Sequence, residues 1–218
     1  MKRLTLLFLT AVTLFGFFLP ASVTQAKGAF EGELEMTLNS PTFNGSATFV
    51  ISSYGINVLV KSGNQSQTIL ILPDSKNVFR LNPAEKTYEE LDLDAMQRQS
   101  AALSRLKQYR IEKLGTEAVL GYKCAHFTIS DGTNQMELWT AKDFISGEPL
   151  KMLTSASQFL GVNSKMMDEM AKEVVDGFPV KMSAKVQGQT MSSQVTRVRK
   201  KRLKSGLFKL PSGYKPEK

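Results

Sequence analysis

From Phe30 to Leu38 apolar and polar residues alternate, with Phe30, Gly32, Leu34, Met36 and Leu38 on one face and Glu31, Glu33 and Glu35 on the other. A period of two marks a half-buried strand. Similar stretches follow at about 45–52, 55–61, 66–72, 77–81 and 86–91, separated by Asn44-Gly45, Tyr54-Gly55, Gly63-Asn64 and Pro73-Asp74. Turn signals this frequent predict hairpins in an antiparallel meander. Ile56, Val58 and Val60 alternate, whereas Ile69 to Leu72 is continuously apolar and is expected to be buried on both faces, as under a covering helix.

After Asp92 the period changes. Ala95, Met96, Ala102, Leu103 and Leu106 fall on one side of a short amphipathic helix, with Gln97, Arg98, Arg105 and Lys107 elsewhere. Strands resume over about 108–142, with Gly115 and Asp131-Gly132 as turn signals and Trp139 near the end. Between Leu150 and Val174, Phe159, Leu160, Met166, Met167, Met170 and Val174 recur at helical spacings, with a weak point at Gly161 and Asn163. Two more strands are expected at about 179–187 and 190–203, hinged at Gln187-Gly188, before a closing Leu207-Phe208-Lys209-Leu210 stretch.

About eleven antiparallel strands with two helical insertions make an α+β chain. The expected architecture is one strongly curved sheet, a half-barrel, with the helices on its concave side. A closed up-and-down barrel is the alternative, since closure also removes exposed edges, but the helical insertions count against it.

Residues 1–26 precede this pattern and have the parts of a cleavable signal peptide: Lys2 and Arg3, an apolar stretch from Leu4 to Leu19, and a tail ending Thr24-Gln25-Ala26. An uncleaved anchor is the competing reading, because a spanning helix needs about 20 residues. Against it, Pro20 ends the stretch and no cysteine stands near the cut to be acylated. A periplasmic or secreted protein is expected, with residues 27–218 as a single domain. Without Lys2 and Arg3 the chain keeps 26 basic and 20 acidic residues, a net charge of about +6. Cys124 is the sole cysteine, so no disulfide forms within the chain and the fold rests on its apolar core.

Candidate chemistry is sparse. Cys124 and His126 stand two apart on an expected strand, but no other cysteine or histidine exists to complete a zinc site or a nucleophilic triad, and no Gly-x-Ser-x-Gly elbow is present. A packed thiol beside a hydrogen-bonded histidine is the favoured reading. Glu89, Glu90, Asp92 and Asp94 are sufficiently explained as acidic residues at a helix start, although paired carboxylates also serve glycosidases. Met152, Met166, Met167, Met170, Met182 and Met191 fit an ordinary core, an adaptable cavity lining, or thioether ligands for cuprous copper, in that order. An enzyme is not expected, nor is a cofactor or a metal.

The strongest charge feature is Arg197, Arg199, Lys200, Lys201, Arg202 and Lys204. Export removes nucleic acid from reach, leaving an anionic membrane surface or an acidic protein patch as partners. The plain alternative is a solvated strand end whose lysines deter edge pairing.

Short motifs carry a resemblance: Leu114-Gly115-Thr116, Gly121-Tyr122-Lys123-Cys124, Leu138-Trp139-Thr140-Ala141-Lys142-Asp143, Gly147-Glu148-Pro149-Leu150-Lys151, Gly177-Phe178-Pro179-Val180, and Phe208-Lys209-Leu210-Pro211-Ser212-Gly213-Tyr214. Across about 108–214 the chain resembles a bacterial family of exported domains of unknown function related to the periplasmic lipoprotein-carrier (LolA-like) fold. The resemblance implies a half-barrel whose helix-capped concave face can hold an apolar guest. Leu34, Met36, Val58, Val60, Phe159, Met166 and Met170 are the candidate lining for a lipid, an acyl chain or another apolar group. The alternative is an interaction or sensor module with a filled core that uses the basic strand 197–204.

Overall fold

The computed structural model describes residues 30–72, 77–92, 110–142, 144–145 and 177–217. The expected signal peptide and both expected helical insertions lie outside these residues, as do Phe159, Met166 and Met170. Within them are twelve strands: β1 (Gly32–Ser40), β2 (Phe43–Ser52), β3 (Gly55–Ser62), β4 (Gln65–Ile71), β5 (Val78–Asn82), β6 (Thr87–Glu90), β7 (Arg110–Val119), β8 (Tyr122–Ser130), β9 (Gln135–Ala141), β10 (Phe178–Val186), β11 (Gln189–Lys200) and β12 (Lys215–Pro216).

They form one sheet in the order β12-β6-β5-β4-β3-β2-β1-β11-β10-β9-β8-β7. β1 lies in the middle; β1 to β6 meander toward one edge, where β12 is added outside β6, and β7 resumes at the other edge. The chain then meanders back until β11 pairs with β1, Gly32 opposite Lys200. Every pairing is antiparallel except β12 with β6. The sheet is curved and open, because its ends, β7 and β12, are not paired with each other. This is the half-barrel expected above, with one strand more, and not the closed barrel.

Alternation explains the core. Along β1, Leu34, Met36 and Leu38 are buried and the intervening residues half-exposed, as the sequence pattern requires. Phe49 and Ala47, the partners of Leu34 and Met36 on β2, and Val60, the partner of Ala47 on β3, continue the same inner face, and one apolar cluster reaches from Val78 on β5 to Ile129 on β8.

A second, smaller cluster lies on the outer face. Leu70, Phe79 and Leu81 are buried there under Leu72, Tyr88, Leu210 and Tyr214. The run Ile69–Leu72 is thus covered on both sides, as expected, but the outer cover is the C-terminal segment and not a helix. That segment turns through a 3-10 helix (Ser205–Phe208), places Phe208 beside Tyr54, and ends with Lys215 N donating to Lys86 O at 3.0 Å and Glu217 N to Tyr88 O at 2.7 Å. Pro216 in the edge strand leaves one fewer donor for unwanted pairing.

Two turn expectations need correction. The first hairpin turns at Pro41-Thr42, and Asn44-Gly45 lies inside β2, where a Cβ on Gly45 would stand 2.1 Å from the Lys61 carbonyl oxygen. This glycine serves a close backbone approach and not a turn. Gly115 also stands inside a strand, at the β-bulge where β7 slips against Phe127 and His126. Gln187-Gly188 is a turn as expected, with φ of 51° and 79° at its two central residues.

Candidate functional site

The inner face is built by register. Leu34 pairs with Phe49, Phe49 with Val58 and Val58 with Ile69; one row along, Met36 pairs with Ala47, Ala47 with Val60 and Val60 with Gln67. Leu34, Met36, Val58 and Val60 therefore share one apolar surface, and all four are buried. Each row crosses four strands, about 14 Å at ordinary strand spacing.

Toward β6 the same face becomes polar. Gln67 ends one row; the β4–β5 pairing stops at Thr68–Leu81, and alternation one step beyond it puts Asn82, which pairs with Thr87, on the same line. In the adjacent row Ile69 pairs with Arg80 and Arg80 with Glu89, whose carboxylate the guanidinium contacts. Gln67 Oε1 and Thr87 Oγ1 are buried without a hydrogen-bond partner among the described residues. The sequence reading missed these residues, although carrying the alternation of Ile71 and Ile69 back one step would have found Gln67. Glu89, weighed above as one of a catalytic carboxylate pair, is the ion-pair partner of Arg80; Asp94 lies outside the described residues.

At the other end of the sheet Phe144 stacks on Phe178 with ring centroids 5.2 Å apart and on Phe30 at 6.4 Å, and meets Tyr122 edge-on at 4.7 Å. These rings close the inner face there with apolar surface.

The basic strand faces its own counter-charges. Register sets Glu33 opposite Arg199 and Glu35 opposite Arg197. Lys201 Nζ donates to Glu33 at 2.6 Å, Arg199 Nη2 to Glu35 at 2.9 Å, and Arg197 Nη1 stands 4.0 Å from Glu35. The hydrogen bond from Lys201 holds the Glu33 carboxyl below the usual range against the opposing effect of its burial, with Lys201, Arg199 and Arg197 adding their positive charge. Lys200, Arg202 and Lys204 are exposed, with no ion-pair partner among the described residues.

Cys124 and His126 do not act together. Cys124 is fully buried and its thiol donates to the Tyr122 carbonyl at 3.3 Å; burial pushes the thiol pKa up, away from a reactive thiolate. His126 lies flat against Trp139, with ring centroids 4.1 Å apart, and its Nε2 is 3.0 Å from Glu137 Oε2 while Nδ1 is 4.0 Å from Glu117 Oε2. Trp139 Nε1 donates to Glu117, and Lys181 Nζ sits 4.0 Å above the indole. The two carboxylates address different ring nitrogens, so this arrangement orders the sheet and does not converge on one ion. No group of three His, Cys, Asp or Glu side chains suited to a metal occurs among the described residues.

A polar hollow of about 490 Å³ lies at one end of β7–β9, lined by Arg110, Glu112, Thr128, Ser130, Asn134 and Lys185 among others. Arg110 is paired with Glu112, which leaves Lys185 as the excess charge of its lining.

Among solved structures, PNGF-II is 15% identical with a TM-score of 0.43 over 85% of this chain, which spans 30% of that protein's length. An uncharacterized conserved protein from Thermus thermophilus is 10% identical with a TM-score of 0.48, covering 100% of this chain and 99% of that one. The Mycobacterium tuberculosis lipoprotein LppX is 9% identical with a TM-score of 0.41, covering 91% and 95%. No curated protein matches. A family model matches residues 30–214, spanning β1 to β11 and the segment that covers Leu70, and the chain accordingly belongs to the family described as Domain of unknown function (DUF4412).

Proposed function

We propose that this chain is an exported, non-enzymatic binding domain that holds a lipid, an acyl chain or another apolar group against the concave face of its sheet, beneath the helical insertions expected at 95–106 and 150–174. The observation that carries this reading is the continuous apolar surface formed in register by Leu34, Phe49, Val58, Met36, Ala47 and Val60. Removing apolar guest surface from water supplies about 25 cal/mol per Å², so chain length sets most of the affinity. Phe159, Met166 and Met170 remain the proposed lining on the helical side, and the segment 1–26 the proposed export signal.

The interaction-module alternative rests on the basic strand. Among the described residues three of its six cations have acidic partners, which leaves Lys200, Arg202 and Lys204 to meet an anionic membrane or protein surface.

Native mass spectrometry of the chain purified from its own envelope compartment, followed by organic extraction, tests the reading. A stoichiometric lipid-sized adduct is the expected result. A clean apo mass that takes up no added lipid would overturn it in favour of the interaction module.

A further inference from the structure

The inner face is not uniformly apolar, and the place where it changes identifies the kind of guest. Alternation along β4–β6 puts Gln67, Asn82 and Thr87 in one row, as the lateral continuation of Met36, Ala47 and Val60. Gln67 is 9% exposed and its Oε1 has no partner among the described residues; Thr87 Oγ1, two strands away, is also buried without one. Between them Asn82 Oδ1 accepts from Glu85 N at 3.3 Å, so only part of its capacity is used. Buried polar groups are ordinarily paired, and two atoms in one row at the edge of an apolar face that lack a partner among the described residues can receive a hydrogen-bonding guest.

The neighbouring charges narrow its chemistry. Arg80, one row along on the same face, is neutralised by Glu89. An anionic headgroup would have to break that pair, and a cationic one would meet an arginine as readily as a glutamate. An amide oxygen accepts and a hydroxyl both donates and accepts, which suits hydroxyls better than ester oxygens alone.

We infer that the row Gln67–Asn82–Thr87 is a headgroup site for an uncharged, hydroxyl-bearing amphiphile, a monoacylglycerol being the simplest example, whose acyl chain lies along Val60, Ala47 and Met36. This rests on the apolar-guest reading and adds to it a selectivity that chain length cannot produce. Guests with the same tail are ranked by their heads, because a head that cannot donate leaves the buried Gln67 oxygen unpaired.

The test uses three probes of one chain length, monolauroylglycerol, methyl laurate and laurate, each competing with a fluorescent apolar probe for the purified chain. Monolauroylglycerol is expected to bind about tenfold more tightly than methyl laurate, the ratio that one or two buried hydrogen bonds supply. Gln67→Leu should narrow the ratio to about twofold or less, chiefly by weakening monolauroylglycerol. Thr87→Val, checked like Gln67→Leu by thermal melting, should reduce the ratio in the same direction. Equal binding of monolauroylglycerol and methyl laurate by the unmodified chain, or a ratio that survives both substitutions, overturns the headgroup site and leaves the apolar-guest reading standing. Tightest binding of laurate overturns it in favour of an anion at Arg80. Failure of all three to displace the probe overturns the apolar-guest reading itself.

Discussion

Lys201 reaches across from the end of β11 to Glu33 on β1, its ammonium 2.6 Å from the carboxylate. The contact joins the two halves of the sheet, since β1 opens one meander and β11 closes the other. It also changes the meaning of the basic strand: much of its charge balances Glu33 and Glu35, leaving a smaller field for an outside partner.

Acid should expose this contact. The folded-state pKa of Glu33 is lowered, so its contribution to stability is complete above the ordinary carboxylate value of about 4.3 and is lost as pH falls through the folded value. Melting temperature followed from pH 6 to about pH 2.5 should fall less steeply for Glu33→Gln than for the unmodified chain. Parallel curves would deny Glu33 this role.

The cations of the basic strand should divide into two sets. Arg199→Ala, at a half-exposed position, is expected to cost no more than about 1 kcal/mol by urea denaturation, because solvent screens the pair. Replacing Lys200, Arg202 and Lys204 with glutamine should leave stability nearly unchanged and flatten any salt dependence of binding to anionic vesicles. A large loss of stability from the triple substitution would mean that these residues too serve the fold.

Cys124 should behave as a core residue. With its pKa raised by burial, the thiol is expected to resist an aromatic disulfide reagent at pH 8 in the native chain and to react at once in denaturant. Rapid labelling of the folded chain would contradict the packing around it.

The outer cluster should hold the C-terminal segment in place. Leu70→Ala removes a fully buried side chain beneath Leu210 and Tyr214 and is expected to cost about 2–5 kcal/mol. Protease sensitivity near residue 210 should rise with it; a stable variant with a protected tail would show that the strand pairing to β6 alone secures the segment.

How much of this was legible in the sequence depends on the range of the interaction that decides it. Alternation placed Leu34, Met36, Val58 and Val60 on one face, because side chains on a strand point to alternate sides whatever the strand packs against. Gln187-Gly188 was readable as a turn for the same local reason, its backbone needing positive φ. Asn44-Gly45 and Gly115 misled because a glycine beside a close backbone or in a bulge has the same local signature as one in a turn.

The sequence by itself determined the strands, their inner faces, the isolation of Cys124 as the sole cysteine and the basic end of β11. Tertiary structure alone decided which strands are neighbours. The β1–β11 pairing sets the basic residues against Glu33 and Glu35, the C-terminal segment covers Leu70, and Gln67, Asn82 and Thr87 come into one row. The physical reason is that period fixes the side to which a residue points, whereas its neighbour is chosen by register between strands brought together only when the whole sheet assembles.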